Sequence, residues 1–193
     1  MKDSDVQWIV RQLNGRPIVL VGLMGSGKTT VGRRLAAALK LPFWDADREI
    51  EAAAGMSISD IFALHGEDAF RDGERKVIAR LMTNGCGVLA TGGGAYMNDE
   101  TRALINERAV CVWLKAEFTV LMERVRRNTN RPLLRNKDPE AVMRKLMNER
   151  YPVYAEADVT VQTSQASHDS AVRAVLNALK AYFSDKNHDA PDS

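Results

Sequence analysis

The residues best suited to chemistry lie in "GLMGSGKTTVG", Gly22 to Gly32, directly after the apolar run "PIVLV". Gly22, Gly27, Lys28 and Thr29 have the spacing G-x-x-x-x-G-K-[ST]. Glycines at these positions let the backbone curl until its N–H groups point inward at phosphate oxygens. Lys28 adds a point charge for the β- and γ-phosphates, and the Thr29 hydroxyl suits Mg²⁺. A helix starting here turns its positive end toward the same anion. A nucleotide is expected on Gly25, Ser26, Gly27, Lys28, Thr29 and Thr30. A plain glycine turn that happens to contain Lys-Thr is disfavoured, because a buried strand precedes and an amphipathic helix follows. The loop names a donor and leaves the acceptor open.

Four further clusters bear on the acceptor. In "DAD", Asp45 and Asp47 are one residue apart, and in an extended chain both side chains point to one side. One carboxylate could hold Mg²⁺ through water while the other accepts a proton from an attacking hydroxyl. An acidic cap for a helix beginning near Arg48 explains the pair equally well. In "FRDGE", Arg71 and Glu74 lie three apart on a predicted helix. On spacing alone they read first as a surface ion pair, and second as an arginine held to grip a carboxylate with its fork. "TGGG" carries Gly92, Gly93 and Gly94, a costly run in conformational entropy. It reads either as a flexible turn or as backbone that a ligand approaches closely. "RVRRNTNRPLLRN" holds Arg124, Arg126, Arg127, Arg131 and Arg135 without a core-facing pattern. Charge runs are usually solvated faces or nucleic-acid patches, but this one is short and interrupted by "PLL", as in a hinged flap that closes an arginine over a γ-phosphate.

The elements that must position these residues follow from the apolar pattern. Val6, Ile9, Val10 and Leu13 predict a short N-terminal helix ended by Gly15. "PIVLVG", "LPFWDAD", "CGVLATGGG", "AVCVWL" and "ADVTVQT" read as five strands, the first buried on both faces because its apolar residues do not alternate. Between them, helices are predicted from Lys28 to Lys40, from the Ser57 cap, through "EDAFRDGERKVIARLMTNG", from the Asn98 cap, through Phe118 to Val125, from Pro139, and from Ser167 or Asp169. Strands alternating with helices imply a mostly parallel sheet covered on both faces. Residues 1–15 are expected as a helical extension, 16–183 as one domain with a lid at about 124–138, and 184–193 as a disordered tail.

Composition fits this reading. The chain has 193 residues, 45% hydrophobic and 27% charged, with a net charge of +2, too mild to argue for nucleic acid. Cys86 and Cys111 sit in apolar contexts and form no CxxC pair, so small core residues are expected rather than a disulfide or zinc site. The N-terminus is acidic where a leader would be basic, and no run approaches bilayer length, so a cytoplasmic protein is expected.

Taken together, these residues resemble the shikimate kinases over nearly the whole chain. The resemblance rests on "PIVLVGLMGSGKTTVGRRLA", "FWDADREIE", "SISDIFALHGEDAFRDGE", "VLATGGGA", "RPLL", "ERYPVYAEAD" and "ADVTVQT", in order and suitably spaced. It implies a three-layer α/β/α fold with a five-stranded parallel sheet, like the nucleoside monophosphate kinases, and a mobile lid. It implies ATP-dependent phosphorylation of the 3-hydroxyl of shikimate, in the route to aromatic amino acids. Carried over by motif, Lys28, Asp47 and Arg131 would be catalytic, with Asp47 binding the shikimate hydroxyls as the leading base candidate. Asp45, through water, and Thr29 would hold Mg²⁺. Arg71 and Arg150 would clamp the shikimate carboxylate, Glu74 would orient Arg71, and Gly92, Gly93 and Gly94 would line the pocket. Arg131 would touch phosphate and substrate, and Arg124 would stack near adenine. Trp44, beside the "DAD" carboxylates, is a candidate wall of the substrate pocket. The loop "TSQASHDS" lacks the proline often found there, and its residues receive no role. The expected partners are ATP and shikimate, with no nucleic acid or membrane, and the expected state is a monomer.

The rivals are another small-molecule kinase of the same fold, such as a gluconate kinase, and a non-catalytic nucleotide-dependent module that binds RNA or protein through the arginine flap. A gluconate kinase would not need paired arginines at 71 and 150. Intact Lys28, Thr29, Asp45 and Asp47 argue against a lost activity. A GTPase would need an Asn-Lys-x-Asp segment, which the chain lacks.

Overall fold

A strand buried on both faces needs a layer of helices on each side, and that is how the apolar runs resolve. The computed structural model describes residues 3–126, 138–164 and 167–188. The strands are β1 (Ile18–Val21), β2 (Phe43–Asp45), β3 (Val88–Ala90), β4 (Val110–Ala116) and β5 (Val159–Thr163). They form one parallel sheet in the order β2-β3-β1-β4-β5. The helices are α1 (Asp3–Leu13), α2 (Lys28–Leu39), α3 (Ala46–Ala54), α4 (Ile58–Met82), α5 (Asp99–Arg108), α6 (Phe118–Arg126), α7 (Pro139–Tyr154) and α8 (His168–His188).

The side-chain alternation of β1 divides the core. Ile18 and Leu20 point into a cluster with Ile9, Leu35, Leu176 and Leu179, from α1, α2 and α8. Val19 and Val21 point the other way, toward Ile78, Leu121, Met143 and Tyr154, from α4, α6 and α7. Edge strand β5 is covered on one face only, so Val159, Val161 and Thr163 are buried while Thr160 and Gln162 are exposed. β1 lies between β3 and β4. The chain therefore leaves it toward one half of the sheet and returns to the other, which opens a crevice beyond its carboxyl end.

Several local predictions hold for the expected reasons. Ser57 caps α4 by accepting from the Asp60 N–H at 3.1 Å, and Asn98 caps α5 by accepting from Thr101 at 2.9 Å. Gly66, with φ 81° and ψ 177°, breaks α4 into the two helices expected from the sequence. α1 is part of the core rather than an appendage: Ile9 and Leu13 are fully buried, and Trp8 meets Phe183 edge-on at 6.5 Å.

Two expectations change. Cys111 is buried in β4 as foreseen, but Cys86 is half-buried in the bend before β3 rather than in the strand. The final helix continues to His188 instead of giving way to a tail at 184. Phe183, 3% exposed, anchors that last stretch, and Lys186 packs over the Tyr182 ring at 4.6 Å. Residues 189–193 lie outside the described residues.

Candidate active site

The phosphate loop leaves β1 at its carboxyl end. Gly22, Gly25 and Gly27 have φ of 139°, 81° and 98°, so the loop's curl needs residues without a side chain at those points. Gly22 also lacks room, since a Cβ there would sit 2.7 Å from the Leu114 carbonyl oxygen. Gly27 sits at the cap of α2, whose first residues are Lys28 and Thr29. The Lys28 ammonium is buried under the curl and donates to the carbonyls of Gly22 at 2.7 Å and Leu23 at 3.0 Å. Thr29 and Thr30 are exposed on the helix's first turn. Ser26 turns its hydroxyl inward, 1% exposed and without a partner among the described residues. Only its backbone therefore faces the hollow of the loop as a candidate phosphate donor.

The "DAD" pair is arranged differently from the extended-chain expectation. Only Asp45 ends β2; α3 begins at Ala46, so Asp47 lies in the helix's first turn. The two carboxylates are consequently aimed apart. Asp45 makes no side-chain cap bond and instead accepts from the Thr29 hydroxyl at 2.8 Å, against the phosphate loop. Asp47 is exposed, and its Oδ1 lies 3.0 Å from where a Gly92 Cβ would stand. Thr29 and Asp45 thus present two hard oxygens at the loop mouth, the donor type that suits Mg²⁺.

The three glycines after β3 have a reason that their sequence did not reveal. None has a positive φ. What they supply is space, and protein groups use it. A Cβ on Gly92 would stand 2.7 Å from Glu74 Oε1, and one on Gly94 would stand 2.6 Å from Arg71 Nη1 and 2.7 Å from Nη2. Gly93 lies against the phosphate loop: its missing Cβ would be 3.5 Å from the Met24 nitrogen and 3.6 Å from Arg150 Nη1. The tripeptide therefore joins the acidic side, the arginines and the phosphate loop at one place.

The Arg71–Glu74 pair is not a surface pair. The Glu74 side chain is 3% exposed, and its Oε2 accepts from Arg71 Nη1 at 2.6 Å. Burial pushes the Glu74 carboxyl above the usual carboxylate range; Arg71 opposes the rise and Asp47 adds to it. For Arg71, burial alone would favour the neutral form, but the bonds and charges of Glu74 and Glu67 outweigh it and raise the guanidinium pKa further. Glu67, one turn earlier on α4, accepts from Arg71 Nε at 3.4 Å and Nη2 at 3.2 Å. A guanidinium has five donors, so among the described residues one N–H on each terminal nitrogen is left without a protein partner. The Arg71 Cζ also lies 5.1 Å from the Phe70 ring centre, and Phe70 packs on the half-exposed Phe62 at 4.6 Å. Glu67 and the Phe62–Phe70 shelf escaped the sequence reading, although the i, i+4 spacing of Glu67 and Arg71 carried the signal.

Arg150, on α7, donates to the Gly93 carbonyl at 2.9 Å, which brings a second guanidinium to the glycine segment. Arg124 crosses the outside of the phosphate loop, donating to the carbonyls of Gly25 at 3.1 Å and Ser164 at 2.7 Å. It thereby ties the loop to the end of β5. Arg131 and most of the expected lid lie outside the described residues. Trp44 does not wall the site: its ring covers Gly87, where a Cβ would stand 2.1 Å away, at the amino end of β3 and opposite the crevice.

The chain as a whole is similar to known proteins. The family described as shikimate kinase matches residues 24–180. The shikimate kinase of Caulobacter vibrioides is 62% identical over 168 residues, covering 87% of this chain and 84% of the relative. That of Bradyrhizobium diazoefficiens is 56% identical, covering 91% and 84%. A solved shikimate kinase from Acinetobacter baumannii, in complex with shikimate, superposes with a TM-score of 0.84 at 37% identity, covering 90% of this chain and 97% of that one. Identity at this level over most of both lengths leaves one assignment: the chain belongs to the shikimate kinase family.

Proposed function

We infer that this chain is a shikimate kinase, moving the γ-phosphate of ATP to the 3-hydroxyl of shikimate to give shikimate 3-phosphate and ADP, a step toward chorismate and the aromatic amino acids. The observation that carries the reading is the meeting of Arg71, Arg150 and Asp47 on Gly92–Gly94, with Gly93 against the phosphate loop. A small hydroxylated acid needs arginine forks for its carboxylate and acceptors for its hydroxyls, and this set offers both beside a phosphate site.

Each residue then has a distinct task. The N–H groups at the start of α2 and the Lys28 ammonium hold the β- and γ-phosphates. Arg71 and Arg150 take the carboxylate, and Glu74 with Glu67 sets the direction of the Arg71 fork. Asp47 holds the 3-hydroxyl in line and accepts its proton; in a loose transition state the positioning is the larger part. Thr29 and, through water, Asp45 would hold Mg²⁺, which supplies charge neutralisation at the phosphates when bound. Arg124 borders the nucleotide on its outer side, and Arg131 is the arginine that closes over phosphate and substrate. On the same reading, the enzyme is a cytoplasmic monomer. Separately, no described helix is long and apolar enough to cross a membrane.

An ADP-release assay with Mg²⁺ and ATP, run across shikimate, gluconate and nucleoside monophosphates, tests the reading. Turnover is expected with shikimate; turnover with gluconate and none with shikimate would overturn it.

A further inference from the structure

One carbonyl oxygen in the site has two donors from the same helix. The Gly93 oxygen accepts from Arg150 Nη1 at 2.9 Å and also from the Tyr154 hydroxyl. The two donors lie one turn apart on α7, the spacing that lets helical side chains reach a common point. They are held very differently. Tyr154 is 1% exposed, and its ring lies against Tyr96 at 6.4 Å and Trp113 at 5.9 Å, so the core fixes where its hydroxyl points. Burial pushes its phenol up to about 12, against the opposing pull of Arg150, and it remains a donor at ordinary pH. Arg150 is only half-buried, on a long side chain that can swing.

This asymmetry matters when an acid arrives. A carboxylate that takes the guanidinium edge carrying Nη1 and draws it from the Gly93 oxygen breaks that bond. Were Arg150 the sole donor, that movement would leave a part-buried carbonyl unpaired beside the phosphate loop, a penalty set against substrate binding. We propose that Tyr154 is a positioning residue: by keeping the Gly93 carbonyl bonded, it frees the Arg150 guanidinium for the acceptor's carboxylate. The proposal rests on reading Arg150 as part of the carboxylate clamp.

The test compares kcat/KM for shikimate with kcat/KM for its methyl ester, which lacks the carboxylate charge, in the wild type, Tyr154→Phe and Arg150→Ala. A ratio within one preparation does not depend on its active fraction, so partial unfolding does not move it. Tyr154→Phe keeps the ring, and Arg150 still satisfies Gly93 in the free enzyme. Its acid-to-ester ratio is expected to fall about three- to ten-fold, the range of one neutral hydrogen bond, with the KM for ATP unchanged. An unchanged ratio in Tyr154→Phe, alongside a collapsed ratio in Arg150→Ala, overturns the role of Tyr154 and keeps the clamp. Equal losses on acid and ester in Tyr154→Phe reduce that residue to general packing. An unchanged ratio in Arg150→Ala removes the clamp reading, and the proposal falls with it.

Discussion

Gly94→Ala separates the space that the glycine segment provides from its conformation. Gly94 has φ −101° and ψ −13°, a negative-φ backbone open to alanine. The added methyl would stand 2.6 Å and 2.7 Å from the two terminal nitrogens of Arg71 and 2.9 Å from Cζ. Reaching the 3.4 Å of ordinary contact requires Arg71 Nη1 to move by about 0.8 Å. Arg71 ends a flexible chain and can move, so the fold should survive. Overpacking costs about 1–3 kcal/mol and the lost freedom of glycine in the unfolded chain returns about 0.4–1 kcal/mol. The fork, however, leaves the place set for it by Glu67 and Glu74. Losing a charge-assisted hydrogen bond to the acceptor's carboxylate is worth about 1.5–3 kcal/mol, or about 10- to 150-fold in the KM for shikimate. Steady-state kinetics with each substrate varied in turn, with a thermal melt, reads the result: shikimate KM rises and ATP KM does not. Gly73→Ala is the control, because nothing lies within 4 Å of its Cβ position. A folded Gly94→Ala protein with an unchanged shikimate KM would refute the placement of Arg71 against the acceptor.

Asp47→Asn should lower kcat by about 10²-fold or more while ATP affinity, measured by titration, stays within about two-fold; a loss of ATP affinity would move Asp47 to the metal side. Burial raises the folded pKa of Glu74 above its unfolded value, so its stabilising effect is full below the ordinary glutamate pKa and is lost as pH rises through the folded one. Urea unfolding should therefore show the stability of the wild type relative to Glu74→Gln falling as pH rises above the ordinary glutamate range; a rise would mean that the ion pair with Arg71 outweighs burial. Ile9→Ala should cost about 2–5 kcal/mol by chemical denaturation, since Ile9 is fully buried; a cost below about 1 kcal/mol would make α1 an appendage after all.

The parts of the structure legible in the sequence are those written in short-range patterns. The unbroken apolar run Ile18–Val21 announced a strand covered on both faces, and Ser57 and Asn98 announced helix starts because a capping oxygen must lie within a few residues of the N–H it bonds. The Lys28–Thr29 end of the phosphate loop was legible for the same reason. What stayed hidden depends on contacts between distant segments. The spacing of Asp45 and Asp47 suggested one shared direction, but a helix begins between them and sends one to Thr29 and the other to Gly92. The burial of Glu74 arises from the glycine segment packing over it, and spacing within "FRDGE" resembles that of any surface pair. Tyr154 carries no local signal of its own in "ERYPVYAEAD", because its partner is the Gly93 carbonyl of a distant segment.

The central claim is that the phosphate held by the Gly22–Thr29 loop passes to a hydroxyl of the acid gripped by Arg71 and Arg150. Phosphorus and proton NMR of the products formed from ATP, Mg²⁺ and shikimate tests it most directly. ADP and a phosphomonoester at the 3-hydroxyl of shikimate should form in equal amounts. ADP accumulating while shikimate stays unmodified would contradict it.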